Sequence, residues 1–577
     1  MKVMIRFFTL LFLLTTAINA QTARLQVIHN SADPAAASVD IYLNGEILLN
    51  NFGFRTATPF IDAPAGQVIN IGVAPGTSTS AADTLKNFQL TLQPGQKYVA
   101  VANGVLNPSS FAANPDGRST AFTLFIKTMA QEAAADPTKV EFFVVHGSSD
   151  APSVDVVARR VATLVDNAAY GDITGYIPVP AANYLLDVTP GNDNNTIVAT
   201  FEADLTGLTG GAAAVFASGF LNPAENQSGQ AFGIFAALPN GDVVAFSPKT
   251  TSRLQVIHNA ADPAAASVDI YLNGDILLNN FGFRTATGFI DAPANQIINI
   301  GVAGSTSASA ADTLKNFSLK LLPGDTYVAI ANGVLNPSAF AVNPDNRNTA
   351  FTLFIKTLAR EQGESSSNVD FAVVHGSTDA PAVDVIARGV ATLVQGAAYS
   401  DITEYISVPA SDYTLDLTPA GVPSTVVASF SAPLSTLGGG AAIVFASGFF
   451  TPSANQNGQA FGLYAALPDG TVLTLNPVTS IKEVGGINAP SNYELGQNYP
   501  NPFNPSTSIR FALPAKSFVS LKVFNVIGQE VATLVNDELN AGAYSYNFDA
   551  KGLTSGIYFY KLTAGNFTET RKMNLLK

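Results

Sequence analysis

The stretch VIHNSADPAAASVDIYLNG, residues 27–45, sets the pattern from which most of the chain is built. Related stretches lie at residues 144–156 (VVHGSSDAPSVDV), 256–270 (VIHNAADPAAASVDI) and 373–385 (VVHGSTDAPAVDV), and the four copies hold all four histidines of the protein. The first copy lies 229 residues before the third, and the second lies 229 residues before the fourth. A long unit has therefore been duplicated, and its two related halves give four modules in the order A, B, A, B.

Each module has the pattern of short strands joined by tight turns. Asn44-Gly45 separates two apolar runs at residues 39–43 and 46–49, and this dipeptide favours a type I′ hairpin. Runs such as YVAVANG are rich in β-branched and aromatic residues, and no stretch keeps the period of an amphipathic helix. Seven or so strands in about 115 residues is typical of an immunoglobulin-like sandwich. We therefore predict an all-β protein of tandem immunoglobulin-like β-sandwich modules.

The repeats predict where the domains begin and end. The joints at residues 127–139 and 356–368 are short and polar, so we expect them to act as hinges or spacers between near-independent modules. The predicted segments are a signal peptide (1–20), the first A module (21–128), the first B module (138–250), the second A module (251–358), the second B module (368–479), a linker (480–492) and a small C-terminal β-sandwich (493–577).

Composition limits the class of protein. The 577 residues are too many for one core, and the low charged fraction (12%) with 47% hydrophobic residues argues against disorder. A formal net charge of −14 argues against nucleic acid as a partner, because phosphate binding needs clustered Lys and Arg. There is no cysteine, so disulfides, thiolate chemistry and a lipid-acceptor cysteine are excluded.

The N-terminus predicts export. Lys2 and Arg6 precede an apolar run at residues 7–14, and small residues follow up to Ala20, which is the layout of a cleaved secretory signal. No later segment has the roughly 18 consecutive apolar residues that a membrane-spanning helix needs. We expect no integral membrane span in the mature chain.

The histidine stretch recurs with fixed chemistry. Alternation places each histidine at the end of a strand, on the same face as apolar residues. An aspartate follows four residues later in every copy, and a second aspartate lies inside the next strand. These residues are His29, Asp33 and Asp40; His146, Asp150 and Asp155; His258, Asp262 and Asp269; and His375, Asp379 and Asp384.

Three interpretations of this motif are possible. Serine catalysis would pair the histidine with the serine two residues later, but Ala260 stands there in the third copy, and the chain has no G-x-S-x-G turn. A metal site would use one imidazole and two carboxylates, which are suitable ligands, but no second histidine is near. The structural interpretation has the aspartates accept hydrogen bonds from turn or loop amides while a carboxylate fixes the tautomer of a buried imidazole. We favour the structural interpretation and predict neither a catalytic residue nor a metal or other cofactor.

The motif also carries a resemblance to a known family. V-x-H-x-S-x-D-A-P-x-V-D-V, followed by YIPVPAANYLLDVTP in the first B module, resembles the domain of unknown function 4397. This resemblance covers roughly residues 23–479, and the A modules depart from it by two extra residues in the turn. It implies tandem extracytoplasmic β-sandwiches in a bacterium and assigns no activity or ligand.

The C-terminal segment resembles a different family. The stretch GQNYPNPFNPSTSIRF, the run LKVFNVIGQEV and the later GIYFYKL are similar to the type A C-terminal sorting domain of the type IX secretion system. The resemblance implies that an outer-membrane translocon binds this domain, and that the protein is secreted or reaches the surface of a Gram-negative bacterium. The residues that match the sorting motif are Asn501, Pro502, Gly528, Gly556, Tyr558 and Lys572.

The resulting functional prediction is a non-enzymatic surface or secreted protein, adhesive or structural, whose extracellular protein or glycan ligand is unknown. A surface glycan-binding protein is the alternative, although the chain has no tryptophan, the best stacking platform for sugars. A hydrolase is the least favoured, because the sequence lacks a concentrated set of titratable groups.

Overall fold

The computed structural model describes residues 21–478, 482–483, 490 and 492–576, so the predicted signal peptide and part of the predicted linker lie outside the described residues. Within these limits the protein is all-β, with short 3-10 turns as its only helical elements, and its strands form pairs of facing sheets. The prediction of tandem β-sandwiches is confirmed. The chain divides into two compact units, the first built mainly from residues before Arg253 and the second mainly from residues after Ser252.

The first A module pairs two sheets, one in the order β4-β1-β8-β9 with β5 also on β1, the other in the order β3-β2-β6-β7. Asn44 and Gly45 both have positive φ (51° and 90°) and join β2 to β3, as the dipeptide predicts. The strands are β1 (Thr22–His29), β2 (Ser38–Leu43), β3 (Glu46–Gly53), β4 (Thr56–Ala57), β5 (Ile61–Pro64), β6 (Val68–Pro75), β7 (Lys86–Thr91), β8 (Lys97–Asn103) and β9 (Thr123–Thr128), with 3-10 turns at Pro34–Ala36, Ala81–Asp83 and Pro108–Ser110.

The first B module repeats this plan, with sheets in the orders β13-β10-β16-β17-β18 and β12-β11-β14-β15-β19. Its strands are β10 (Lys139–Val145), β11 (Val154–Ala158), β12 (Ala162–Ala168), β13 (Ile177–Pro180), β14 (Asn183–Pro190), β15 (Ala199–Asp204), β16 (Ala212–Ser218), β17 (Gly233–Ala237), β18 (Val243–Ala245) and β19 (Ser247–Lys249), with one 3-10 turn at Pro223–Glu225.

The motif strand of each module is one half of a parallel pair. β1 runs parallel to β8, and β10 runs parallel to β16, whereas the other strand pairs within these modules are antiparallel. Parallel strands are usually covered on both faces. In β1 the residues Leu25 and Val27 face the core of the first A module, while Ile28 is buried in a different cluster.

That different cluster is a core shared by the two modules of the first unit. Ile28 and Val101 from the A module and Val145 and Phe216 from the B module all have 0% of their surface exposed, and they pack together. The sheet that carries the motif strand in one module therefore packs on the corresponding sheet of the other. The two modules of a unit form a pair with a continuous apolar interface.

This pairing corrects the prediction that the joints are hinges between near-independent modules. In the first joint Ala130 is buried in the shared core, the Gln131 amide donates to the Tyr176 hydroxyl (2.8 Å), and the Ala134 amide donates to the Gly210 carbonyl (2.9 Å). The polar composition does not reveal this contact, because polar side chains contribute to the interface as well: the Lys127 ammonium donates to the Thr174 carbonyl (2.9 Å). The joint bonds to both modules of the pair, since the Ala130 amide also donates to the Lys97 carbonyl of the A module (3.0 Å).

The second A and B modules repeat the first two. Their sheets have the orders β23-β20-β27-β28 with β24 on β20, β22-β21-β25-β26, β32-β29-β35-β36-β37 and β31-β30-β33-β34, and they share a core that includes Ile257, Ile330 and Phe445. The second A module has β20 (Thr251–His258), β21 (Ser267–Leu272), β22 (Asp275–Gly282), β23 (Thr285–Ala286), β24 (Ile290–Pro293), β25 (Ile297–Gly304), β26 (Thr313–Lys320), β27 (Thr326–Asn332) and β28 (Thr352–Thr357), with 3-10 turns at Pro263–Ala265, Ala310–Asp312 and Pro337–Ala339. The second B module has β29 (Asn368–Val374), β30 (Val383–Ala387), β31 (Ala391–Ala397), β32 (Ile406–Pro409), β33 (Asp412–Pro419), β34 (Ala428–Pro433), β35 (Ala441–Ser447), β36 (Gly462–Ala466) and β37 (Val472–Leu475), with a 3-10 turn at Pro452–Ala454.

The C-terminal domain is a smaller sandwich of two four-stranded sheets, ordered β38-β43-β40-β39 and β42-β41-β44-β45, with antiparallel strand pairs. Its own core includes Phe503, Leu521 and Tyr560. Its strands are β38 (Lys482–Glu483), β39 (Glu494–Leu495), β40 (Ser506–Leu513), β41 (Ser517–Phe524), β42 (Glu530–Leu539), β43 (Gly542–Asp549), β44 (Gly556–Ala564) and β45 (Phe567–Leu575).

Candidate functional site

In the A modules the motif histidine ties the end of the first strand to the loop that follows it. His29 is fully buried, and its Nε2 lies 2.7 Å from the Ala36 carbonyl oxygen. Because a carbonyl can only accept, Nε2 carries the proton and Nδ1 bears a lone pair. His258 makes the same bond to Ala265 (2.7 Å). The prediction that a carboxylate holds the imidazole is wrong, since a backbone carbonyl satisfies a neutral histidine without burying an ion pair.

The two A-module aspartates accept hydrogen bonds from loops. Asp33 accepts from the Ala35 amide (2.9 Å), capping the 3-10 turn at Pro34–Ala36, and from the distant Leu106 amide (2.8 Å). Asp40 accepts from the Asn51 amide (2.8 Å) and from the Ser78 hydroxyl. The equivalent bonds recur in the second A module: Asp262 accepts from Ala264 and Leu335, and Asp269 accepts from Asn280 and Ser307.

The B modules keep the histidine bond and use the first aspartate differently. His146 Nε2 lies 3.0 Å from the Pro152 carbonyl oxygen. Asp150 does not accept from an amide of its own turn, contrary to the prediction. It accepts from the distant Leu221 and Asn222 amides (both 2.8 Å) and from the Asn226 side chain (2.9 Å). In the second B module His375 bonds Pro381, and Asp379 accepts from Phe450, Thr451 and Asn455.

The second aspartate of each B module also accepts from backbone amides. Asp155 accepts from the Asn167 amide (2.5 Å), and Asp384 accepts from the Gly396 (2.6 Å) and Gly421 (2.9 Å) amides. Within residues 21–478 and 492–576, no three His, Asp or Glu side chains are grouped so that they could hold a metal ion. The structural role of the motif remains a prediction, which substitution can test.

Replacing His146 by Ala in a fragment of residues 21–250 should lower the free energy of unfolding by about 1 to 3 kcal/mol, the usual cost of leaving a buried partner unsatisfied. Urea denaturation of this fragment checks the value, and His146→Gln, which retains a side-chain amide donor, should cost less. Unchanged stability in His146→Ala would contradict a structural role.

Burial also makes stability depend on pH. Removal from water lowers the pKa of His29 to about 4, against the raising effect of its bond to Ala36. The folded protein thus holds this histidine neutral, and the stability it contributes is complete above about pH 6.5 and is lost as the pH falls toward 4. At about 1.4 kcal/mol per pKa unit, the loss is about 3 kcal/mol.

In the fragment of residues 21–250, we therefore expect wild type to lose more stability than His29→Gln between pH 6.5 and 4. The comparison cancels the contribution of the carboxylates, which are the same in both proteins. Equal losses would show that His29 is not kept neutral by folding.

Two residues that the sequence analysis did not select join the first pair of modules. Asn103, fully buried, donates to the Gly147 carbonyl (3.1 Å) and the Tyr170 hydroxyl (2.9 Å) across the interface. Arg55 donates to the Ser218 hydroxyl (3.0 Å), and its guanidinium lies 4.2 Å from the Phe235 ring. Both types recur in the second A module, as Asn332 and Arg284. The sequence signal for these contacts is that both A modules retain the Asn and the Arg, whereas the B modules have other residues at these positions.

The first B module encloses an apolar cavity of about 560 Å³ between its two sheets, lined by residues that include Phe142, His146, Ala168 and Ala213. The second B module has cavities of about 530 Å³ and about 80 Å³, whereas a cavity between the sheets of the first A module measures about 30 Å³. At roughly 24 cal/mol per Å³, an empty cavity as large as that of the first B module would lower the free energy of unfolding by on the order of 10 kcal/mol. That is comparable with the whole stability of a domain.

The sorting-motif residues lie at different places in the C-terminal domain. Asn501 accepts from the Asn574 amide (2.9 Å), and its amide nitrogen lies 3.5 Å from the Lys572 carbonyl oxygen, so these two motif positions meet beside β45. Pro502 is exposed next to Asn501. Tyr558 donates to the Thr554 carbonyl (2.9 Å). Gly528 lies in the turn between β41 and β42, and Gly556 begins β44.

Comparison with known families matches two domain types. The Domain of unknown function (DUF4397) matches residues 23–121, 140–262 and 369–455, which together are more than half of the chain. The Secretion system C-terminal sorting domain matches residues 497–575. A comparison with curated proteins found no match.

Among solved structures, the chain is similar to PorZ, an essential bacterial surface component of the type IX secretion system of Porphyromonas gingivalis. The identity is 10%, the alignment covers 92% of this chain and 83% of PorZ, and the TM-score is 0.13. A likeness at this level carries no argument about this chain.

The sorting domain indicates export by the type IX secretion system to the cell surface or medium of a Gram-negative bacterium. Among the residues described by the structure, none form a helix that is long and apolar enough to cross a membrane. The chain belongs to the DUF4397 family, and its tandem modules precede a type IX secretion sorting domain.

Proposed function

We propose that the exported modules act as a non-enzymatic structural or adhesive protein, with the two A–B pairs as its building blocks. The observation that carries this proposal is the apolar core shared within each pair, which joins two sandwiches into a larger stable body. Such a body suits a protein that must persist outside the cell and present extended sheet surfaces to a partner.

The motif supports the non-enzymatic part of the proposal. The carboxylates of Asp33, Asp150 and Asp155 accept hydrogen bonds from backbone amides, and the histidines bond carbonyls of their own loops. A general base also needs a nucleophile within reach, and the nearby Ser31 and Ser148 hydroxyls donate instead to backbone carbonyls. The motif aspartates, and one ring nitrogen of each motif histidine, therefore hold loops together.

The test compares attachment of bacteria that display the protein with attachment of bacteria that lack it, on abiotic surfaces, on host matrix proteins and on other bacterial cells. We expect attachment to fall when the protein is absent and to return with the wild-type gene. Purified mature protein is also applied to a glycan array and to ester, peptide and glycoside substrates. Selective array binding would favour a glycan-binding protein, and turnover of any substrate would contradict a non-enzymatic role.

A further inference from the structure

The cavities of the B modules arise from specific small residues. Tyr98 lies opposite Leu25, four residues before the motif histidine, whereas Ala213 lies opposite Phe142, four residues before His146. The residue directly before the second motif aspartate is Val39 in the A module and Val154 in the B module. Phe52 lies opposite Val39, and Ala168 lies opposite Val154. Two aromatic core residues of the A module are therefore replaced by alanine at the same positions of the B module.

The replacement is the same in the second pair of modules. Tyr327 and Phe281 stand at these positions in the second A module, and Ala442 and Ala397 stand there in the second B module. Some B-module positions carry larger residues, such as Phe142 in place of Leu25. These residues do not fill the space between the sheets, which measures about 560 Å³ in the first B module and about 530 Å³ in the second. These volumes lie within the usual range of small-molecule sites.

The loss of one aromatic ring also changes the surroundings of the histidine. In the first A module the His29 ring lies 6.0 Å from the Phe52 ring, and its Nδ1 lies 3.4 Å from the Ser31 amide. In the first B module His146 lines the cavity, and its buried Nδ1 has no hydrogen-bond partner. Because Nε2 donates to the Pro152 carbonyl, this Nδ1 is an acceptor and requires a donor.

We propose that each B module binds an aliphatic chain between its sheets, and that in the first B module the chain carries a terminal hydroxyl that donates to His146 Nδ1. An apolar chain fits the lining, and a hydroxyl supplies the missing donor at little desolvation cost, whereas an ionised carboxylate would be costly there. The exposed residues Asp204 and Ser247 also line the first cavity, so it reaches solvent at that end.

The test uses the full mature chain, residues 21–577, with 1-tetradecanol as the probe and native mass spectrometry to count bound molecules. We expect two molecules per wild-type chain, one after Ala213→Tyr, and none after Ala213→Tyr with Ala442→Tyr, since tyrosine occupies these positions in the A modules. The matched controls Ala162→Tyr and Ala391→Tyr, at exposed positions of the same modules, should retain both.

The Ala442→Tyr variant leaves only the first B module for a comparison of ligands. There calorimetry should show 1-tetradecanol binding about tenfold more tightly than n-tetradecane, since only the alcohol satisfies His146. Absence of binding by wild type, two molecules retained in Ala213→Tyr, or equal affinities for alcohol and alkane would overturn the proposal. Failure of Ala213→Tyr to fold would do so as well, because it would show that the space cannot receive the ring.

Discussion

Deleting residues 493–577 should remove the protein from the cell surface and the medium and leave four folded modules in the periplasm. The sorting domain is the segment matched to export across the outer membrane, and its core is built from its own residues, such as Phe503 and Tyr560. The core of the second B module ends at Leu475, so the deletion does not reach it. Fractionation with immunodetection measures the location, and proteolysis of the periplasmic fraction measures the folding.

The matched control deletes residues 253–478, which removes the second pair of modules and retains the sorting domain. This shorter protein should still leave the periplasm, because the domain bound by the translocon is intact. The resemblance to sorting domains implies that this segment is commonly removed after export, so mass spectrometry of the exported wild type should find peptides up to residues 480–492 and few beyond them. Normal surface amounts of the protein without residues 493–577 would contradict the role of the sorting domain.

The features that could be predicted from sequence are those set by neighbouring residues. Asn44-Gly45 predicts its hairpin because both positions accept positive φ, and the alternation around Leu25 and Val27 predicts the face on which His29 lies. The partner of His29 could not be predicted, because Ala36 reaches it through a loop conformation that depends on Asp33 and on the distant Leu106 amide.

The pairing of modules is reflected in the sequences of the strands that form the interface. β8 reads KYVAVAN and β10 reads KVEFFVV, so apolar residues occupy both faces of each strand. A strand with one face in solvent would alternate, and an unbroken apolar run indicates burial on both sides. What covers the second face, however, is a sheet of the neighbouring module, and no local pattern identifies it. The cavities have a similar origin, since Ala168 and Ala213 lie in different sheets and line one space only when the two sheets pack face to face.

Replacing Val101 by Asp should separate the modules of the first pair without unfolding either sandwich. Val101 is fully buried in the shared core, opposite Ile28, and does not belong to the internal core of the first A module. A carboxyl group at this position finds only apolar neighbours in that cluster, and burying a polar group without a partner costs about 2 to 7 kcal/mol. Opening the interface exposes the group to water and relieves that cost, so the open form should become populated.

Cleavage after Glu132 by an endoproteinase specific for glutamate measures this opening, because the joint is held by the buried Ala130 and by the bond from the Gln131 amide to Tyr176. When opening is fast, cleavage follows the population of the open form, so Val101→Asp should be cut at least about tenfold faster than wild type. Val68→Asp, the same change on an exposed part of the same module, should be cut at the wild-type rate. If the two variants were cut equally slowly, the apolar contact would not hold the pair together, and the modules would behave as the independent units that the polar joints suggested.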